Sequence, residues 1–224
     1  MAVIKRTWLL VVIGLTVWAI SVRPTRGQAA AKRLYENDFE KAALNSLPED
    51  FLLIDGGFAV KQEGDNKFLE LPGAPVDMFG VLFGPTEKDG MSVTARVFAT
   101  SKGRRFPAFG VGLNSLAGYK LQVSPAKKLI ELFKGDAVKK SVAYEWTSAK
   151  WTHLRLQLLK QKDGKWKIEG KVWMEGTPEP KEATIAWNDE EEPLPGRASI
   201  WGSPFAGTPL RFDDLVVTAL PAQP

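Results

Sequence analysis

Leu210-Arg211-Phe212-Asp213-Asp214-Leu215-Val216-Val217-Thr218 is an apolar, β-branched run with two adjacent acids set into it. That composition favours a strand. At strict period two, Leu215, Val217 and Ala219 share a face with Asp213, and Phe212 falls on the opposite face. A bulge at the acid pair would swing Phe212 back among the apolar side chains. In either register a carboxylate within an apolar strand needs a partner.

Outward from this stretch the same period recurs. In Met91–Thr100, Met91, Val93, Ala95, Val97 and Ala99 alternate with Ser92, Thr94, Arg96, Phe98 and Thr100. In Phe106–Asn114, Phe109, Val111 and Leu113 oppose Ala108, Gly110, Gly112 and Asn114, and in the next run Tyr119, Leu121 and Val123 oppose Lys120, Gln122 and Ser124. Each of these strands offers one apolar face and one small or polar face, as sandwich strands do. Further strands are expected at Leu34–Glu40, Phe58–Gln62, Lys67–Leu71, Val76–Phe83 (ended by Gly84-Pro85), Leu129–Phe133, Ala137–Tyr144, Trp151–Lys160, Lys165–Glu175, Thr184–Trp187 and Arg197–Trp201. Gly64-Asp65-Asn66, Gly135-Asp136 and Asp163-Gly164 mark hairpin turns. Asn188–Gly196, with Asp189-Glu190-Glu191-Glu192, reads as a solvated loop. No helix of three turns is expected after the first thirty residues. Many short strands with turns every eight to twelve residues predict an all-β, two-sheet antiparallel jelly-roll sandwich.

The N-terminus follows another logic. Lys5 and Arg6 precede an apolar run, Trp8–Ile20, and the small residues Gly27, Ala29, Ala30 and Ala31 follow. This is the order of a secretory signal peptide, residues 1–29, ahead of a single domain, residues 30–224. The apolar run is shorter than the roughly 20 residues a spanning helix needs. The expected location is therefore extracytoplasmic, periplasmic or secreted, with membrane contact only through the export leader. The chain of 224 residues holds 30 Lys+Arg and 26 Asp+Glu. Lys5, Arg6, Arg23 and Arg26 precede Ala29 with no acid among them, so the rest of the chain is formally neutral. A nucleic-acid partner loses its main support. There is no cysteine, which excludes cross-links, thiol catalysis and thiolate metal sites, and the single histidine, His153, excludes a histidine-rich metal centre.

The ordered strands resemble the concanavalin A-like lectin/glucanase jelly rolls, in particular laminin-G-like modules and the related 3-keto-disaccharide hydrolase domains. The resemblance is carried by Tyr35-Glu36-Asn37-Asp38-Phe39-Glu40, Gly118-Tyr119-Lys120-Leu121-Gln122-Val123, Lys150-Trp151-Thr152-His153-Leu154-Arg155-Leu156, Gly196-Arg197-Ala198-Ser199-Ile200-Trp201-Gly202 and Arg211–Val217. It spans nearly the whole chain after the leader and speaks to fold more than activity, since this fold hosts lectins, hydrolases and adhesive modules. The hydrolase-like relatives tend to carry Tyr-Glu-x-Gln where this chain has Tyr119-Lys120-Leu121-Gln122. A base stands in place of the acid, which counts against hydrolysis.

Several side chains are candidates for chemistry. Arg96, Asn114 and Gln122 lie on the polar faces of strands expected to be neighbours, and with Trp173, Trp187 and Trp201 they form the candidate sugar-facing surface. Tryptophan stacks on a sugar through its apolar face and more often serves as core or rim packing. Asp38, Glu40, Asp213 and Asp214 would meet if first and last strands pair, as they usually do in jelly rolls. Four carboxylates require a counter-charge, and the resemblance implies a structural Ca²⁺ here with Asp213 as ligand; the alternative partners are Arg211 or turn amides. Glu36-x-Asp38-x-Glu40 matches the acid spacing of laminarinase-type glucanases, but opens the domain instead of lying on a central strand, and a first strand with solvated acids is the simpler reading. His153 reads as a strand histidine facing solvent. Together these features favour non-catalytic binding of a glycan or cell-surface component. A glycosidic-bond hydrolase and a structural or adhesive module are the alternatives.

Overall fold

The structure is a computed structural model that describes residues 31–73 and 77–221. The signal peptide expected at 1–29 lies outside the described residues. In chain order the strands are β1 (Lys32–Asn37), β2 (Leu52–Asp55), β3 (Ala59–Glu63), β4 (Asn66–Leu71), β5 (Phe79–Glu87), β6 (Met91–Ala99), β7 (Ala108–Leu113), β8 (Tyr119–Ser124), β9 (Leu129–Lys134), β10 (Ala137–Ala143), β11 (Lys150–Lys160), β12 (Trp166–Met174), β13 (Ile185–Asp189), β14 (Gly196–Ser203) and β15 (Leu210–Ala219). The one helical element among the described residues is a 3₁₀ turn, Pro125–Lys127.

These strands form two antiparallel sheets. Sheet I runs β13-β12-β11-β6-β15-β4-β3, with β1 alongside the C-terminal half of β15; sheet II runs β10-β9-β8-β7-β14-β5-β2. The expected sandwich is what forms. Its core is the sum of the inward apolar faces: Val93, Ala95, Val97, Leu154, Leu156 and Leu158 from sheet I meet Phe109, Val111, Leu121, Ile130, Ile200 and Phe83 from sheet II. Because side chains alternate, every remaining position on these strands points away from the core and builds an outer face.

β15 threads the sheet between β6 on one side and β4 then β1 on the other. Its register on β6 slips between Asp213 and Val216, and Asp214 takes a positive φ of 50°. This bulge places Phe212, Leu215 and Val217 together in the core, each fully buried. Hairpins form at Gly64 (φ 60°) and Gly164 (φ 82°), where glycine meets a left-handed backbone without a Cβ penalty.

Several strand bounds and one whole strand differ from the sequence reading. β5 does not end at Gly84-Pro85 but continues to Glu87. The pair sits in a bulge opposite Arg197, where proline's missing N–H breaks no ladder, and Arg197 Nε donates to the Gly84 carbonyl at 2.7 Å. β2 was not visible in the sequence because its leucines, Leu52 and Leu53, are exposed on an edge strand. β13 extends to Asp189, which is buried instead of solvated.

Candidate functional site

The seam where the chain closes holds the acids first. Asp213 is 1% exposed. Its Oδ2 accepts from Arg96 Nη2 at 2.7 Å and from Asn66 Nδ2 at 3.0 Å, and Arg96 Nε reaches Asp214 at 2.8 Å. β15 and β6 put Asp213 and Arg96 directly opposite one another, so one guanidinium lies against both carboxylates, hydrogen-bonded to Asp213 and in ionic contact with Asp214. Burial pushes the Asp213 carboxyl up, while the Asn66 hydrogen bond and the Arg96 charge pull it down. β1 ends at Asn37, and Phe39 turns with φ 58°, so Asp38 and Glu40 lie beyond the strand. Asp38 accepts from the Glu40 amide at 3.2 Å, and Glu40 accepts from the Lys67 amide at 2.9 Å. Among the described residues no three His, Cys, Asp or Glu converge as a metal site requires. The seam does not fit Ca²⁺, which wants six to eight oxygens; here Arg96 is the counter-charge. Glu36, Asp38 and Glu40 do not share a strand face.

The expected surface of Arg96, Asn114 and Gln122 does not form. Arg96 is on the outer face of sheet I, its guanidinium carbon 4.5 Å from the Trp151 ring centroid. Gln122 is on the outer face of sheet II, because the chain crosses between sheets after β6. Asn114 lies past the end of β7 with φ 62°, buried, and donates to the Leu194 carbonyl at 2.8 Å, pinning a loop. Trp187 turns inward and packs on Tyr119 with centroids 6.4 Å apart. Trp173 is on the outer face of sheet I, stacked on His153 at 5.1 Å; His153 Nε2 lies 2.5 Å from Glu175 Oε2.

Gln122 and Trp201 do meet on one face. Across sheet II, Glu131, Gln122, Gly110, Trp201 and Gly80 are successive cross-strand neighbours; the adjacent row is Phe133, Lys120, Gly112, Ser199 and Leu82. Glycines recur beside Trp201 for a steric reason. A Cβ on Gly80 would meet Trp201 Cε3 at 2.5 Å, and one on Gly112 would meet Trp201 Nε1 at 3.1 Å. The indole therefore lies along the sheet surface, over both glycines, and its Nε1 donates to Ser199 Oγ at 2.8 Å. One ring face rests on backbone, the residue is half-buried, and Lys120 Nζ lies over the ring at 5.5 Å from its centroid.

Beside the indole is a cavity of ≈ 400 Å³, walled by Trp201, Lys120, Asp136, Met78, Ser115 and Leu116. Lys120 Nζ sits 4.5 Å from the Phe133 centroid and 5.5 Å from that of Trp201. Burial holds its ammonium below the ordinary lysine value. Farther along, Gln122 Nε2 donates to Ser124 Oγ at 2.9 Å, Ser124 donates to Glu131 at 2.6 Å, and Lys127 closes on Glu131 at 3.1 Å. Gln122 Oε1 has no donor among the described residues. Next to the cavity Tyr119 donates to Asp189 at 2.8 Å, and Lys134 bridges Asp189 and Glu191 at 2.6 Å each. Burial and the Asp189 hydrogen bond raise the Tyr119 phenol far above its usual value. Sequence reasoning passed over Lys120 and Asp136 as binding residues. The glycine column opposite Trp201 was the available signal.

No protein-family model matches the chain, and no curated protein matches it by sequence. Solved structures do. A carbohydrate-binding module from Bacillus subtilis superimposes with TM-score 0.57 at 13% identity, over 76% of this chain and 96% of that one. A Bacillus subtilis protein of unknown function with a galectin-like fold gives TM-score 0.57 at 13% identity, over 86% and 98%. Lectin II from Ulex europaeus gives 0.51 at 11%, over 84% and 99%. The fold is a concanavalin A-like sandwich. At these identities the likeness is one of architecture alone. In this concanavalin A-like domain, sheet II presents the indole platform and sheet I an arginine-filled face.

Proposed function

We propose that the chain is an exported, non-catalytic glycan-binding module whose site is the Trp201 platform and the cavity beside it. The flat placement of Trp201 over Gly80 and Gly112 carries this reading. A pyranose buries its axial C–H face on an indole, and the hydroxyls at its rim need polar groups within reach; Lys120, Asp136 and Ser115 stand there. The cavity volume falls in the range of small-ligand sites, about 300–1,000 Å³. Similar folds named as a carbohydrate-binding module and a lectin add support. Hydrolysis would need two carboxylates about 5–10 Å apart across one cleft. Asp136 is the one carboxylate among the described residues lining this cavity, which favours binding over cleavage.

The test is a glycan array followed by titration calorimetry, with the wild-type protein and Trp201→Ala. Loss of the platform is expected to weaken the best glycan about tenfold or more, an interaction of about 1.4 kcal/mol. Unchanged affinity in the variant, or release of new reducing ends from the bound glycan, would overturn the reading.

A further inference from the structure

Lys120 is an unusual lysine for a sheet surface. Its neighbours across the ladder are Gly112 on one side and Phe133 on the other, so its stem lies in a trough between two rings. Surface lysines keep the charged head in water while the stem covers apolar area. Here the head stops at the cavity wall, half-buried. No carboxylate of the described residues lies within the 4.0 Å of an ion pair; Asp136 and Glu131 act on it only through space. Glu131 is already engaged by Ser124 and Lys127. Lys134 on the adjacent strand shows the usual outcome, since it holds Asp189 and Glu191 at 2.6 Å each. A cation taken partly out of water with no counter-ion costs stability, and an arriving anion recovers that cost.

Lys127, on the same outer face of sheet II, is already held by Glu131 at 3.1 Å, so the positive charge left for a ligand at the platform is that of Lys120.

We infer that the cavity beside Trp201 takes a pyranose bearing an oxyanion, with the ring on the indole and the oxyanion on Lys120 Nζ. This rests on the glycan-binding reading and specifies its ligand class. Uronate carboxylates and sulfate esters share the required chemistry. Asp136, on the same cavity wall set, accepts ring hydroxyls and opposes the ligand's charge. Specificity for acidic glycans therefore comes from one lysine, while the indole supplies stacking that neutral sugars also enjoy.

Calorimetric titration with oligogalacturonate, its carboxyl-reduced neutral counterpart and a sulfated galactan oligomer separates these contributions. Wild type is expected to bind at least one charged oligomer about tenfold or more tightly than the neutral one, with a preference that shrinks as salt rises. Lys120→Gln is expected to abolish the preference by weakening the charged oligomers far more than the neutral one, and Asp136→Asn to strengthen the charged ligand. Melting of Lys120→Gln checks folding; removing an unpaired cation should leave it intact. The carboxylate and sulfate arms tell which oxyanion is read. A neutral ligand that binds as well as the charged ones, or a Lys120→Gln variant with the preference intact, overturns the assignment of Lys120. Where such neutral binding still depends on Trp201, the glycan reading survives. Failure of every oligomer, charged or neutral, sinks both.

Discussion

Asp213 shows what a single residue discloses before the fold is known. An acid inside Leu210–Thr218 needs a partner, and that much follows from the stretch itself. The partner's identity does not: Arg96 lies 117 residues earlier and meets Asp213 only through the β6–β15 register. The pair is nearly dry on the acid side, so removing one member is far worse than removing both. Arg96→Met is expected to cost about 3–5 kcal/mol by chemical denaturation, because Asp213 is left buried and charged. The double variant Arg96→Met, Asp213→Leu should recover most of that loss. A melting temperature insensitive to chelator is expected in wild type, since an arginine already balances the seam; a marked drop would restore an ion to it. The opposite sign governs Lys120. Burial depresses its folded-state pKa, so the charged form is penalised at neutral pH and the penalty lifts as pH rises past that value. Binding of an oxyanion there should accordingly fade on the alkaline side, at a lower pH than contact with an ordinary exposed lysine. A binding curve flat through that range would place the oxyanion elsewhere.

At the scale of elements, strict alternation was a dependable guide. β6, β7, β8 and β11 were legible because each buries one full face, and Val93, Val111, Leu121 and Leu156 are fully buried. β2 is not legible in the sequence because it pairs on one side only, with β5, and keeps Leu52 and Leu53 in solvent. Gly84-Pro85 reads as a stop because proline in a ladder usually is one; a bulge removes that conflict. The glycines of β5 and β7 make a sharper test of the platform. Gly80→Ala puts a methyl into the Trp201 ring, which can tilt away, so the fold should persist with glycan affinity reduced severalfold. Gly110→Ala instead puts a Cβ 2.3 Å from the Leu121 carbonyl, which belongs to the ladder and cannot tilt. That substitution is expected to cost about 1–3 kcal/mol in stability, measured by denaturant melts. Equal stability loss in both would mean the indole is locked structural packing instead of a tunable platform.

At the scale of the molecule, period two says that a residue faces outward but not from which sheet. Arg96 and Gln122 have the same pattern, β6 and β7 are consecutive, and the crossover between them sends the two residues to opposite outer faces. The sandwich therefore has two candidate surfaces, and their aromatics differ in how far they are already committed. On sheet I, Trp151 carries Arg96 at 4.5 Å and packs on Phe98 at 5.6 Å, and Trp173 is stacked on His153 at 10° between planes. On sheet II, Trp201 rests on glycine backbone beside an open cavity, and its one cation, Lys120 Nζ, stands farther off at 5.5 Å from the ring centroid. A ring face covered by a guanidinium or imidazole must shed that partner before a sugar can stack, and the exchange leaves little net gain. Trp173→Ala is therefore expected to leave glycan affinity within about twofold of wild type, a difference of about 0.4 kcal/mol. Trp201→Ala should lose most of it. Both proteins are to be titrated with the same oligosaccharide under the same salt. Loss of binding in Trp173→Ala with Trp201→Ala unaffected would move the site to sheet I and make His153 and Glu175, at 2.5 Å, its polar rim.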